Sequence, residues 1–172
     1  MEYKIGTGTD SHRFVSEGPN ELTSGKFTMI LPKIEGNLFH LGGVNIPNIE
    51  VIANSDGDVV YHALYDAISS AMEGKSIGVE FPNDSGPSEK FLLSIKKQME
   101  EKGYKINNIS IVIECKKPRI TPIEEEIKEN LARIFEINKN QIGITAKSGE
   151  ELTAFGRGEG AEAIVTVLLK QV

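Results

Sequence analysis

The chain has 172 residues, 39 % hydrophobic and 26 % charged, and a formal net charge of −6. That size and balance suit one globular domain able to bury a core without disulfide staples, and they exclude a disordered or low-complexity chain. The negative balance, with no strong Lys/Arg cluster, argues against nucleic acid held by phosphate neutralisation, while a small phosphorylated ligand stays compatible because metals and backbone amides neutralise phosphate locally.

A first strand is expected from Tyr3 into Gly6-Thr-Gly-Thr-Asp10-Ser-His12-Arg-Phe14. Its glycines remove bulk where the backbone must approach something closely. Asp10 and His12 are two apart, which places both side chains on one face of an extended chain. Residues 15–37, rich in Ser, Gly, Pro, Asn and Glu, read as a long loop or short hairpin excursion. Leu38-Phe-His40-Leu-Gly-Gly-Val-Asn-Ile46 suggests a strand broken at Gly42-Gly43, with His40 in a structural role.

A helix beginning near Asp58 aligns Asp58, His62 and Asp66 four apart in one polar stripe, half of a metal site or else a solvated face. Val59, Ala63, Ala67 and Ile68 make the other side apolar enough to pack on a sheet. The turn-rich segment 75–87 follows. Ser88 is placed as the N-cap of a second helix reaching Lys102, with Phe91, Leu92, Ile95 and Met99 as its stripe and Gly103 as its stop. Ile109, Ile111 and Ile113 mark a strand ending near Cys115, the single cysteine, read as structural.

A further helix is expected to about Phe135, then a short strand over 141–147. A glycine-punctuated segment over 148–160 leads into an apolar strand over 161–169, expected to be central and buried on both faces. The whole reads as α+β, a single domain over 1–172 in which helices cover one face of a mostly β sheet, with a loop or hairpin insertion near 15–37. The N-terminus lacks the apolar core of a signal peptide and no stretch nears the ~18 apolar residues of a spanning helix, so a cytoplasmic address and no membrane partner are expected.

An Asp-x-His pair at a strand end, a histidine on a helix and a glycine-rich acidic segment converge on metal chemistry. Two histidines and one carboxylate form a common ligand set for catalytic zinc, with a fourth position open to substrate or water. With these motifs in place, the chain resembles the 2-C-methyl-D-erythritol 2,4-cyclodiphosphate synthase family. The resemblance rests on Gly6-Thr-Gly-Thr-Asp-Ser-His-Arg-Phe14, Leu41-Gly-Gly-Val44, Ser55-Asp-Gly-Asp-Val59 with His62-Ala63 and Asp66-Ala67, Ile77-Gly78 with Phe81-Pro82, Pro118-Arg119, and Phe155-Gly-Arg-Gly-Glu-Gly160. These blocks keep the family's order over nearly the whole chain, 15–37 excepted.

The resemblance implies a homotrimer with active sites at subunit junctions. It implies one zinc per chain on Asp10, His12 and His62, and magnesium or manganese on Glu150. The substrate would be a cytidine-diphosphate ester of methylerythritol 2-phosphate, cyclised with loss of CMP. Asn54, Ser55, Ser76, Ile77, Gly78, Phe81 and Asn83 would contact its phosphate and polyol. Pro118, Arg119, Ile120, Ala146, Lys147 and Ser148 would form the neighbour's nucleotide pocket, with Ser148 and Glu150 at the chemistry. Asp66 would orient His62. Arg157 and Glu159 would lie near the trimer axis, where family members hold an isoprenoid diphosphate.

The chain departs from the family where Asn54 replaces a histidine, Ser76 and Asn83 replace aspartates, and Thr145 replaces a lysine. The metal end is intact and polyol contacts are thinned, unless Asp84 takes over from Asn83. A zinc-dependent phosphohydrolase with Asp58 as base, and a non-catalytic trimeric binder of isoprenoid diphosphate, are the competing readings.

Overall fold

Two glycines set the spacing between the layers of this computed structural model. The first strand, β1 (Tyr3–Phe14), alternates so that Gly6, Gly8, Asp10 and His12 share one face. Against Gly6 and Gly8 lies the helix α1 (Val59–Ala71). A Cβ added at Gly6 would stand 2.1 Å from the Ala67 carbonyl oxygen, and one at Gly8 2.2 Å from that of Ala63. Only glycine permits that approach, and the small, buried side chains of Ala63, Ala67 and Ala71 match it from the helix.

The structure describes residues 2–15, 20–24, 27–31, 36–82 and 85–172, with backbone alone for 20–24 and 27–31. β2 (Asn20–Ser24) and β3 (Phe27–Leu31) pair antiparallel as a separate two-stranded sheet. Six strands form the main sheet, in the order β4 (Asn37–Leu41), β5 (Val44–Ile52), β1, β8 (Gly160–Gln171), β6 (Tyr104–Cys115), β7 (Ile142–Lys147). Neighbours are antiparallel except β6 and β7. A parallel pair needs a long crossover, and the helix α4 (Glu124–Phe135) lies on it.

The helix begins where expected, but Asp58 is its N-cap and not a member of a polar stripe, its carboxylate accepting from the amides of Val60 and Tyr61. The helix is buried almost all round rather than on one stripe, because α3 (Glu89–Glu101) packs on the side away from the sheet. Two shorter helices, α2 (Ile77–Glu80) and α5 (Ala154–Arg157), complete the set. The expected strand broken at Gly42-Gly43 is instead a hairpin. Both glycines have positive φ, 59° and 80°, and Leu41 pairs with Val44 across them. Two consecutive positive-φ residues build the tight turn whose twist matches paired strands.

The strand expected to be buried on both faces, β8, is buried on one. Ala161, Ala163, Val165, Val167 and Leu169 are fully covered by the helical layer, whereas Ile164 is 41 % exposed on the opposite face. Central position protects a strand's edges, not its faces. The uncovered face continues onto β1, where Ile5 is 70 % exposed and Thr7 Oγ1 lies 3.1 Å from Thr166 Oγ1.

Gly8→Ala forces a methyl into the α1 backbone. Loss of about 1–3 kcal/mol is expected from such overpacking, read as a lower urea midpoint at unchanged m-value; a midpoint equal to the parent's would show that the layer spacing is not set here.

Candidate active site

The close approach of α1 to β1 carries His62, one turn into the helix, against the strand end that bears Asp10 and His12. Asp10 Oδ2 lies 2.9 Å from His62 Nδ1 and 3.1 Å from His12 Nε2, and the two ring nitrogens are 3.2 Å apart. These donors form a triangle with edges near those of a tetrahedral ion, about 3.3 Å for bonds of about 2.0–2.1 Å. Among the described residues they are the one group of three or more His, Cys, Asp or Glu residues gathered this way.

The donor set fits a divalent ion such as zinc. Two imidazole nitrogens 3.2 Å apart can share at most one proton between them. Facing a carboxylate oxygen as well, they concentrate electron pairs on one point, which favours a cation there. The pKa directions agree. Burial works against ionised Asp10, but hydrogen bonds and the charges of His12 and His62 hold its carboxyl well below the usual range. Burial likewise opposes a charged His62, but Asp10 outweighs it, with Asp58 and Asp56 adding to the effect, and raises the ring above its ordinary value.

Behind His62 lie groups to which the sequence assigned other roles. His62 Nε2 lies 2.8 Å from Ser88 Oγ and 3.3 Å from Ser55 Oγ. Ser88 holds the cap position of α3 but makes no side-chain cap bond; its hydroxyl donates to Asp56 and its amide donates to the other Asp56 oxygen at 2.9 Å. Asp66 has a different partner, its Oδ1 accepting from the Ile77 amide at 2.7 Å, at the start of α2. The legible signal was Asp56, two residues before Asp58 in the same motif.

Asp58 cannot serve as a hydrolytic base. It is 0 % exposed, and its carboxylate accepts from the amides of Gly42, Gly43, Val60 and Tyr61 at 2.7–3.1 Å, so it ties the β4–β5 turn to the start of α1. His40 lies in β4, as expected, its Nδ1 3.1 Å from the Leu38 carbonyl oxygen, and it lines the same cavity as Asn54 and Ser55. Cys115 is buried, and burial pushes its thiol up to about 11.

The remaining expected contacts fall into separate places. Asn54 and Ser55 line one cavity of about 630 Å³ with Asp56 and Tyr61. Ser76 and Asp66 line another of about 520 Å³ against Thr7 and Thr9. Ile77 packs partly into the core, Gly78 is open, and the Phe81 ring lies tilted against Phe91 at 5.0 Å and edge-on to Tyr65 at 5.8 Å. Asn83 and Asp84 lie outside the described residues.

Pro118, Arg119, Ile120, Ala146, Lys147 and Ser148 do converge, lining one hollow of about 260 Å³ at the ends of β6 and β7. That lining includes none of Asp10, His12 or His62. Glu150 is exposed in a turn over Gly149–Glu151 and is not a member of the triad. Arg157 Nε donates to Glu159 at 2.8 Å.

A helix-covered mixed sheet with a two-histidine, one-carboxylate centre defines an α+β protein built around a candidate metal site. The YgbB family model matches residues 3–170, and the chain belongs to that family. It is 38 % identical to a 2-C-methyl-D-erythritol 2,4-cyclodiphosphate synthase of Francisella tularensis subsp. novicida, over 98 % of this chain and 99 % of that protein. It is 36 % identical to the enzyme of the same name from Fusobacterium nucleatum, over 98 % and 97 %. A solved Plasmodium falciparum IspF in complex with CDP superposes with a TM-score of 0.80 at 30 % identity, covering 98 % of this chain and 96 % of the other. The resemblance read from the motifs is thereby borne out.

The Asp10–His62 pair sets a pH window for protein stripped of metal. Asp10's depressed pKa contributes stability that is full above its unfolded value near 3.8 and is lost as pH falls through the folded value. His62's raised pKa contributes stability that is full below its unfolded value near 6.5 and is lost as pH rises through the folded value. Urea midpoints of chelator-treated protein, relative to Asp10→Asn, should show the parent's advantage peaking between those values; an advantage still rising above neutral pH would contradict the pairing.

Proposed function

We infer that the chain is a phosphorus–oxygen lyase that cyclises 4-diphosphocytidyl-2-C-methyl-D-erythritol 2-phosphate to 2-C-methyl-D-erythritol 2,4-cyclodiphosphate. It releases CMP in non-mevalonate isoprenoid biosynthesis. The observation that carries this reading is the convergence of Asp10, His12 and His62 in a chain that aligns end to end with synthases of that name.

An oxygen of the 2-phosphate attacks the diphosphate phosphorus nearest the sugar alcohol. A P–O bond forms as the bond to CMP breaks, and CMP leaves with the electron pair. No water or protein nucleophile is consumed, so the site must gather anions and hold them in line. Asp10, His12 and His62 would hold zinc, and Glu150 magnesium or manganese brought with substrate; when bound, these ions supply Lewis-acid neutralisation of phosphate charge. The chain's net charge of −6 is then no obstacle.

The protein's own groups orient the reactants. β1 and α1, in close contact at Gly6 and Gly8, carry all three donors on regular elements and none on a loop. Asn54, exposed beside Ser55, offers an uncharged amide to phosphate, with Ser55 next to it. Ile77, Gly78 and Phe81, with Ser76 and Asn83, flank the polyol in this reading. The hollow of Pro118, Arg119, Ile120, Ala146, Lys147 and Ser148 takes the cytidine nucleotide, Lys147 and Arg119 offsetting its phosphate charge. Ser148 and Glu150 stand at the departing group.

Assembly as a homotrimer completes the site in this reading. Two observations support it: the uncovered sheet face bearing Ile5 and Ile164, and a nucleotide hollow whose lining lacks the triad. Arg157 and Glu159 would face an isoprenoid diphosphate on the axis. A cytoplasmic address belongs to the same reading, since a multiply charged nucleotide substrate does not cross a bilayer unaided. Among the described residues no helix is long and apolar enough to cross a membrane.

Phosphorus NMR of the substrate incubated with protein, zinc and Mg²⁺ should reveal the cyclic diphosphate and CMP; linear hydrolysis products would overturn the lyase reading. His62→Ala should lose the zinc and lower turnover at least about a hundredfold, as removal of several kcal/mol of charge stabilisation requires. Junction sites are tested by mixing two inactive variants, His62→Ala and Arg119→Ala, by co-refolding. Random trimers in which each site draws on two neighbours recover about a quarter of parental activity, whereas sites contained in one chain recover none.

A further inference from the structure

Ser88 is 0 % exposed and makes no helix-cap bond although it stands at the head of α3. Its polar atoms are spent elsewhere. Asp56 grips it with both carboxylate oxygens, one accepting from the Ser88 amide at 2.9 Å and the other from its hydroxyl. A serine hydroxyl has one proton. With that proton given to Asp56, Ser88 Oγ can only accept from His62 Nε2, 2.8 Å away. Ser55 Oγ lies 3.3 Å from the same nitrogen and has a lone pair able to accept from it. His62 therefore carries a proton on Nε2 whatever the state of Nδ1, and Nδ1, 2.9 Å from Asp10 Oδ2, is the nitrogen left to offer a lone pair to an ion.

We propose that Asp56 and Ser88 form a positioning relay that locks His62 in the Nε2–H tautomer and fixes its ring angle, so that Nδ1 is the metal donor. The inference rests on the reading of Asp10, His12 and His62 as a metal centre. An imidazole ligand usually donates its other N–H to a carboxylate or carbonyl, which fixes the ring and strengthens it as a donor. Here a buried hydroxyl stands between ring and carboxylate. The relay also ties the metal site to the start of α3, since the Ser88 amide is held by the same Asp56, and to the parallel bridge between Ser55 and Gly86. Asp56 is thus a residue of the centre that never touches the ion.

The test is made on zinc-loaded full-length protein with ¹⁵N-labelled histidine. Long-range ¹H–¹⁵N spectra of the unsubstituted protein should place the His62 proton on Nε2 and the metal-bound shift on Nδ1; the opposite assignment overturns the relay without any variant being needed. Zinc affinity, measured by competition with a chromophoric chelator, should fall about 10–100-fold in Ser88→Ala and in Asp56→Asn. The His62 Nε2–H signal of Ser88→Ala should broaden through faster solvent exchange. Parental affinity and an unchanged signal in folded Ser88→Ala would defeat the relay while leaving the metal centre standing. Retention of zinc by His62→Ala would instead defeat the metal-centre reading itself.

Discussion

The backbone contact between α1 and β1 governs the rest of the molecule. Gly6 and Gly8 let the helix settle so near the strand that any Cβ there would strike a helix carbonyl. At that separation a side chain as short as histidine spans from α1 to the strand's polar end, where Asp10 and His12 point to the same side. Widening the gap by one methyl layer would withdraw His62 from both partners. The packing of an apolar interior and the assembly of a polar centre are here one event.

Holding three electron-rich atoms within about 3 Å of one another has an electrostatic cost, and the surroundings show how it is met. The carboxylate of Asp10 and the raised proton affinity of His62 stabilise each other in the absence of an ion, and a divalent cation can take the same role. Around them the acids are separated by task. Asp58 is consumed by four amides, Asp66 by the start of α2, and Asp56 by Ser88. Each has hydrogen-bond donors of its own, while the charges of Asp58 and Asp56 still favour a cationic His62. Three carboxylates of one short segment thereby become a cap, a clamp and a support.

Much of this was legible in the residues. The i, i+4 spacing placed His62 and Asp66 on one helix, with Asp58 becoming its cap, and strand alternation put Asp10 and His12 on one side, because both periodicities follow from local backbone geometry. The Gly42-Gly43 pair was misread as an interruption; its positive φ values make it a two-residue turn, which depends on pairing between β4 and β5. Ser88 looked like a helix cap because serine at that position often is one. Its hydroxyl is diverted by Asp56, 32 residues earlier, which no local pattern reports. The apolar run of β8 resembled a strand covered on both faces, yet alternate residues face an uncovered surface. Hydrophobicity registers that a face is to be buried, not whether the same chain buries it.

The sequence by itself determined the α+β class, the start of α1, the span of α3, the candidate metal-ligand types and the family, since these follow from residue chemistry, short-range periodicity and ordered motifs. Tertiary structure decided which nitrogen of His62 faces Asp10, which hydroxyl lies against the other, and that the lining of the hollow at the ends of β6 and β7 excludes the triad. Those outcomes depend on distances between residues 26 to 52 positions apart. They are set by how closely a helix can lie on a strand, and spacing along the chain does not encode that separation.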